Sequence, residues 1–424
     1  MRIAEVAEFY SPNGGGVRSY IDQKFEAAAR AGHELFVLAP AERTSFEKRA
    51  GGGVVWVESP ALPFDRNYRM FWDAAPIHAL LDRLRPDLVE ASSPWRGAWI
   101  VATWAGRSPR AMFVHSDPVA SYPHRWLAPF TSYGRIDRLF EWYWAYFRRL
   151  AARFDALVVG GAWLARRFQA QDVGRFQAVA LGIDRSAFSP DRRDPGLRSR
   201  LLQTCGLPES SKLLLGVGRH HAEKRWPLVI SAAVAAGGNI PIGLVLVGDG
   251  MDRARVMRAA GGNPHVQLVA PIRDRKLLAA MLASADALIH GCDCETFGLV
   301  AGEALASGLP IITPDRGGCA EMAESAVAET YRSGDGRSAA AAIRRMFARD
   351  PDTLRAASLS CAARVRSDAE HFAELFGYYG RVVDGGRAHP VAGTRSPYRA
   401  IRRREVYAAS ARSSSRITDG AATS

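Results

Sequence analysis

Glu295 and Glu303 are separated by seven residues in the stretch ETFGLVAGE, which continues as ALASGLPIITPDRGG. An acid buried in so apolar a setting without partners costs ~2 kcal/mol or more, so both acids are expected to have polar partners. Vicinal sugar hydroxyls are one such partner, because a carboxylate accepts from both. A helix starting near Phe297 or Gly298 would carry Glu303 in an early turn and aim the amides of Gly298 and Leu299 at a phosphate. Two other readings stand beside this one. The acids can be the acid–nucleophile pair of a glycosidase, or Glu303 can be a helix-end charge that serves structure alone.

Gly14, Gly15 and Gly16 follow the first apolar run and precede a helical pattern. Backbone there can approach a ligand closely, and phosphate is the natural guest. The spacing is not G-x-G-x-x-G, so no dinucleotide is inferred; a plain tight turn is the alternative. In GRHHAEKR (218–225), Arg219 can hold a phosphate with a planar fork and Lys224 adds a mobile point charge. The alternative is a solvated basic loop. His220 and His221 lack a third metal ligand at convincing spacing. His115, in FVHSD, ends another apolar run and faces the same ligand or is structural. Cys292-x-Cys294 reads as buried strand-end packing rather than a metal site.

Such residues need strands and helix starts to hold them. Short apolar runs at 2–9, 33–40, 54–59, 87–93, 111–117 and 156–161 read as buried strands in the first half. Runs at 213–218, 243–250, 266–271, 287–291 and 310–314 repeat the theme. Helical patterns at 19–32, 226–237 and 275–285 lie between them. This alternation predicts an α/β chain with two Rossmann-like, doubly wound parallel sheets facing a cleft. Ligands sit beyond the carboxyl ends of such strands, where every motif above falls. The expected division is 1–190, 191–365, a terminal helical segment 366–384, and a disordered basic tail 385–424.

The chain has 424 residues, 48% hydrophobic and 23% charged, which allows two or three domains with ample core. Five cysteines, an odd number, form no disulfide framework, and a reducing compartment fits. The N-terminus carries Glu5 and Glu8 and no long apolar run, so no signal peptide is expected. No run of ~18 apolar residues suggests a membrane span. A net charge of +13 points to an anionic partner. Nucleic acid, phosphorylated ligands and an acidic membrane surface all qualify on charge alone.

Taken in order, these motifs resemble the retaining GT-B glycosyltransferases of family 4, the group 1 enzymes. The E-x7-E pair, the glycine loop at 14–16, the G-R-x4-K loop, Val247–Gly250 (VGDG) and the joint ALGIDRSAFSP (180–190) all agree, over residues 1–384. Met251 stands where many relatives have proline. The resemblance implies transfer of a sugar from a nucleotide-diphosphate donor with retained configuration, without metal or cofactor. Arg219 and Lys224 would neutralise the diphosphate, Glu303 would bind the ribose hydroxyls and Glu295 the donor sugar. Gly298 and Leu299 would offer amides, Gly15 and Gly16 would line the diphosphate site, and His115 would contact the sugar near its anomeric carbon. The last helix would cross back to the first domain. A UDP-sugar is the expected donor, ahead of a GDP-sugar.

The acceptor is read from LFEWYWAYFRRLAARF (139–154). Leu139, Phe140, Tyr143, Trp144, Phe147, Leu150, Ala151 and Phe154 form one helical stripe and should face the core. Trp142 and Tyr146 fall off it, near Arg148 and Arg149, and suit a membrane interface; a solvated polar face is the alternative. From this comes the expectation of a peripheral enzyme on the inner face of the cytoplasmic membrane, glycosylating a lipid such as diacylglycerol. A soluble transferase acting on a saccharide or small metabolite is the second reading, and a non-enzymatic binder of anions or nucleic acid the third. The donor-site residues argue against nucleic acid.

Overall fold

The computed structural model describes residues 1–12, 14–62, 69–238 and 240–385. Asn13 of the glycine loop lies outside the described residues, as does the basic tail apart from Gly385. Among the described residues, fourteen strands form two sheets. The first contains β1 (Arg2–Val6), β2 (Glu34–Ala41), β3 (Ser45–Arg49), β4 (Gly52–Glu58), β5 (Leu88–Ala91), β6 (Arg110–Val114), β7 (Ala156–Val159) and β8 (Gln177–Ala178). Their order is β3-β4-β2-β1-β5-β6-β7-β8, and every pairing is parallel except β3 with β4. The second contains β9 (Lys212–Val217), β10 (Ile242–Val247), β11 (Val266–Val269), β12 (Ala287–Ile289), β13 (Ile311–Pro314) and β14 (Ala328–Tyr331), all parallel, in the order β11-β10-β9-β12-β13-β14. In both sheets the order reverses beside the first strand, at β1 and β9, the switch point where α/β sheets bind ligands.

β5, β7 and β10 are buried at every position, because helices cover both faces; hence their unbroken apolar runs. Several strands stop short of the predicted limits. β1 ends at Val6, β5 at Ala91 and β6 at Val114. The residues beyond leave the sheet to build the cleft. Three edge strands are invisible in the sequence. β3 (SFEKR), β8 (QA) and β14 (AETY) carry too few apolar residues to show a pattern, and they form because a neighbouring strand offers an unpaired edge.

The first helix, Gly16–Arg30, buries Tyr20, Ile21, Lys24, Phe25, Ala27 and Ala28 and ends before Gly32, whose φ is +69°. It begins three residues earlier than the pattern suggests, since tertiary contacts offset the low helix propensity of glycine. The last helix, Asp368–Val383, starts with a capping box formed by Ser367 and Glu370. It packs on the first helix, with Tyr20 against Phe372 at 5.4 Å and Tyr20 Oη 3.1 Å from His371 Nε2. The last helix therefore returns to the domain of the first sheet.

The 139–154 stripe is corrected in part. Phe140 (φ −97°, ψ 21°) breaks it into two helices, Tyr133–Leu139 and Glu141–Ala151. Tyr143, Trp144, Phe147 and Leu150 are buried as expected, but Leu139 is 64% exposed because it sits before the break. Among the described residues no helix is long and apolar enough to cross a membrane.

Candidate functional site

The site is built where the carboxyl ends of the two sheets meet. Gly15 caps the first helix, and the Arg219 side chain lies 3.5 Å from where a Cβ on Gly15 would be. A Cβ on Gly16 would meet Leu299 Cδ1 at 3.6 Å. Leu299 opens the helix Leu299–Ala306, capped by Gly298 with φ +89°. Two helix starts thus face each other across the cleft, each with first-turn N–H groups that its own helix cannot use, and a guanidinium stands beside them. A side chain on Gly298 is excluded twice over: its φ is left-handed, and a Cβ would lie 2.2 Å from Cys319 Sγ.

Arg219 is exposed, and its loop is pinned from behind. Its carbonyl accepts from Trp226 Nε1 at 3.0 Å, and the neighbouring His220 N–H donates to Asp249 O at 2.7 Å. The VGDG segment earns its glycines here, since a Cβ on Gly248 (φ +153°) would fall 2.0 Å from Gly218 O. Met251 is exposed in the following turn and disturbs none of this.

Lys224 and Glu295 are brought together directly: Lys224 Nζ donates to Glu295 Oε1, and His290 Nε2 lies 3.6 Å from the same oxygen. The two expected ligand groups are thus paired with each other. Thr296 next to Glu295 donates its hydroxyl to His115 O at 2.7 Å, across the cleft. The His115 ring itself turns inward, against Phe113 (4.6 Å) and Tyr20 (5.1 Å), with Nε2 buried and unpartnered. Burial holds its imidazole down at about 4, so it is neutral at pH 7.

Glu303 lies in the second turn of its helix, past the amides that the helix dipole acts through. The helix-end reading of this acid therefore falls away. Burial pushes its carboxyl up to about 7, against the attraction of Arg275 and with the repulsion of Asp184. Among the described residues no hydrogen bond reaches its side chain. Arg275 pairs with Asp184 at 3.4 Å and lies over the Phe188 ring. Sequence reasoning missed Thr296, Arg275 and Asp184. Asp184 lies inside the recognised joint motif; Arg275 had no signal beyond following a capping aspartate, Asp274.

The expected membrane contacts separate. Trp142 is 67% exposed and Arg149 is exposed. Tyr146 is not available: its hydroxyl accepts from Trp99 Nε1 (2.9 Å) and donates to Pro94 O (3.0 Å). Arg148 is held by Glu141 and by Gln171 O.

Comparison with known proteins agrees with this architecture. Residues 14–187 match the family described as Glycosyltransferase Family 4, and residues 199–359 match Glycosyl transferases group 1. A GDP-mannose-dependent alpha-(1-6)-phosphatidylinositol dimannoside mannosyltransferase of Mycobacterium tuberculosis is 31% identical over 348 residues, covering 78% of this chain and 87% of the relative. A GDP-mannose-dependent alpha-mannosyltransferase of the same species is 31% identical over 323 residues, 75% of this chain and 80% of the relative. The sucrose-phosphate synthase structure from Thermosynechococcus elongatus superposes with a TM-score of 0.75 over 91% of this chain and all of the other, at 19% identity. The chain belongs to the group 1 glycosyltransferases and has the two-domain GT-B fold. It is a glycosyltransferase.

Proposed function

We propose that the protein transfers mannose from GDP-mannose, with retention, to a mannosylated phosphatidylinositol at a membrane surface. The observation that carries the donor half is the meeting of two helix starts, Gly15–Gly16 and Gly298–Leu299, beside Arg219. The departing group is a nucleoside diphosphate whose oxygens gain charge as the glycosidic bond breaks. Fixed amides and cations stabilise that charge without reorganising. In this reading Arg219 and Lys224 take the diphosphate, Lys224 exchanging Glu295 for a phosphate oxygen. Glu295 then turns to the sugar hydroxyls, and Glu303 accepts from the ribose. Thr296 keeps the His115 segment at the cleft wall, where its neutral imidazole adds no charge beside an oxocarbenium-like sugar. The acceptor attacks from the face the diphosphate leaves, and a phosphate oxygen takes its proton. These residues do this without a metal or cofactor.

The sugar and acceptor come from the relatives, whose names specify GDP-mannose and phosphatidylinositol dimannoside. They replace the UDP-sugar and diacylglycerol expected from the sequence. The base is held mainly by backbone near Pro271–Arg273, which carries little side-chain signal. Support for the membrane comes from exposed aromatic and apolar side chains between residues 122 and 142. Tyr122, Trp126, Phe130, Leu139 and Trp142 are all exposed, and Arg125 lies over the rings of Tyr122 and Trp126. Exposed aromatics beside arginine suit an anionic interface.

The test is GDP release and mannolipid formation by the purified chain, with GDP-mannose and UDP-sugars. Each donor is offered with anionic vesicles containing a phosphatidylinositol mannoside, with a free mannoside, or with neither. Turnover with GDP-mannose and the vesicles is expected. Turnover on the free mannoside alone would replace the lipid acceptor by a soluble one, and turnover with a UDP-sugar would overturn the donor.

A further inference from the structure

We propose that His290, Cys292 and Glu295, with Cys294 beside Cys292, form a site for a soft divalent cation of the zinc class. Its occupancy would take Glu295 away from Lys224 and close the donor site. The ligand atoms of His290, Cys292 and Glu295 all lie within 4.8 Å of one another. Cys292 Sγ and Cys294 Sγ are 3.4 Å apart, and His290 Nε2 is 3.6 Å from Glu295 Oε1. Ligands ~2.0–2.3 Å from a tetrahedral zinc stand roughly 3.3–3.8 Å from each other. The shorter pairs are already there, and within His290, Cys292 and Glu295 a contraction of about 1 Å closes the rest.

A second observation points to a ligand. His290 is 1% exposed, yet neither ring nitrogen makes a hydrogen bond. An orphaned buried imidazole is costly, and a bound cation would satisfy it. An imidazole and a thiolate both offer lone pairs to such a cation. The arrangement follows from β12 ending at Ile289, after which the chain curls so that 290, 292 and 295 converge. Thiolate, imidazole and carboxylate together select zinc over magnesium or calcium. Binding sends the Cys292 proton, and the Cys294 proton if it ligates, to solvent. The Lys224 ammonium, repelled by the dication, must leave Glu295. This departs from the strand-end packing expected of Cys292-x-Cys294, because His290 and Glu295 join it in space.

The inhibitory half rests on the donor-site reading of Glu295; the binding half does not. The full chain, stripped with a chelator, is titrated with Co2+ and then Zn2+. A thiolate-to-cobalt absorption band is expected, and Zn2+ should displace the cobalt. Cys292→Ser should abolish the band and weaken Zn2+ at least ~10-fold. His290→Gln provides a second variant, and far-ultraviolet circular dichroism checks that both fold. Zn2+ should stop sugar transfer by the wild type and spare Cys292→Ser, which stays active in chelator. No band, or equal Zn2+ affinity in wild type and Cys292→Ser, would overturn the site. A band without inhibition would overturn its coupling to Glu295. Failure of GDP-mannose turnover in chelator counts against the proposed function, because the cobalt band is read without turnover.

Discussion

Glu303 carries the sharpest chemical expectation. Its carboxyl sits at about 7 in the folded protein against an ordinary 4.5, because burial disfavours the charge. Between those values the folded chain holds a proton that the unfolded chain has released. Stability therefore falls as pH rises from 4.5 to about 7 and stays reduced above it. Glu303→Gln removes this cost, so melting at pH 8 should show a gain on the order of 2 kcal/mol that vanishes near pH 4. The same variant should lose donor affinity, since an amide accepts less well from ribose hydroxyls than a carboxylate. In the wild type, donor affinity measured by calorimetry should fall as pH drops below about 7. Arg219 and Lys224 differ in kind. Arg219→Lys keeps the charge and loses the fork, and kcat/KM should drop about tenfold or more. Lys224→Ala should cost ~100- to 1,000-fold and leave Glu295 without its cation. Steady-state kinetics separate the two.

The helix Leu299–Ala306 depends on one glycine. Gly298→Ala forces a side chain into left-handed backbone and onto Cys319 Sγ, and should destabilise by about 1–3 kcal/mol in a denaturant titration. Adding Cys319→Ala should recover only part, because the overlap is relieved and the φ strain is not. The ETFG motif showed that a helix starts here, and Gly298 and Leu299 are where the sequence put them. The two helices around Phe140 were less legible. Local periodicity continued through Phe140, and only packing of Tyr143, Trp144, Phe147 and Leu150 against the sheet decided where the chain bends. Tyr146 was placed on the wrong side of that question by period alone. Its partners, Trp99 and Pro94, lie about fifty residues away in sequence.

The helix Asp368–Val383 is docked on the first domain by contacts with the first helix. Lys24 on the first helix is fully buried between Glu5 on β1 (2.9 Å) and Glu90 on β5 (2.5 Å), beneath the Tyr379 ring of the last helix. Lys24→Met leaves two buried carboxylates uncompensated and should cost about 3–5 kcal/mol. That loss should be visible as a lower melting temperature and faster proteolysis of the last helix. His371 on that helix donates its Nδ1 proton to Ala180 O (2.9 Å), so Nε2 accepts from Tyr20. Tyr20→Phe should weaken the docking by about 1 kcal/mol. On the outer surface, Trp126→Ala, Phe130→Ala and Trp142→Ala together should lower co-sedimentation with anionic vesicles about tenfold or more. Tyr146→Phe should leave vesicle binding unchanged, because that side chain is already engaged within the domain.

The sequence by itself determined the α/β class, the two parallel sheets, the family and the identity of the residues round the cleft. It could do so because buried parallel strands write continuous apolar runs, and because glycine, arginine and paired carboxylates occur at spacings that local backbone geometry fixes. Only the tertiary structure decided which of those residues meet. Lys224 against Glu295, Gly15 against Arg219, Thr296 against His115 and the turn of the His115 ring away from open solvent are contacts between distant segments. The gathering of His290 and Cys292 around Glu295 is made instead by the curl of the chain after β12, where spacing alone presented Cys292-x-Cys294 as packing. Contacts between distant segments follow from how two sheets are set against each other and from where burial leaves a polar group without water, and no local pattern encodes either.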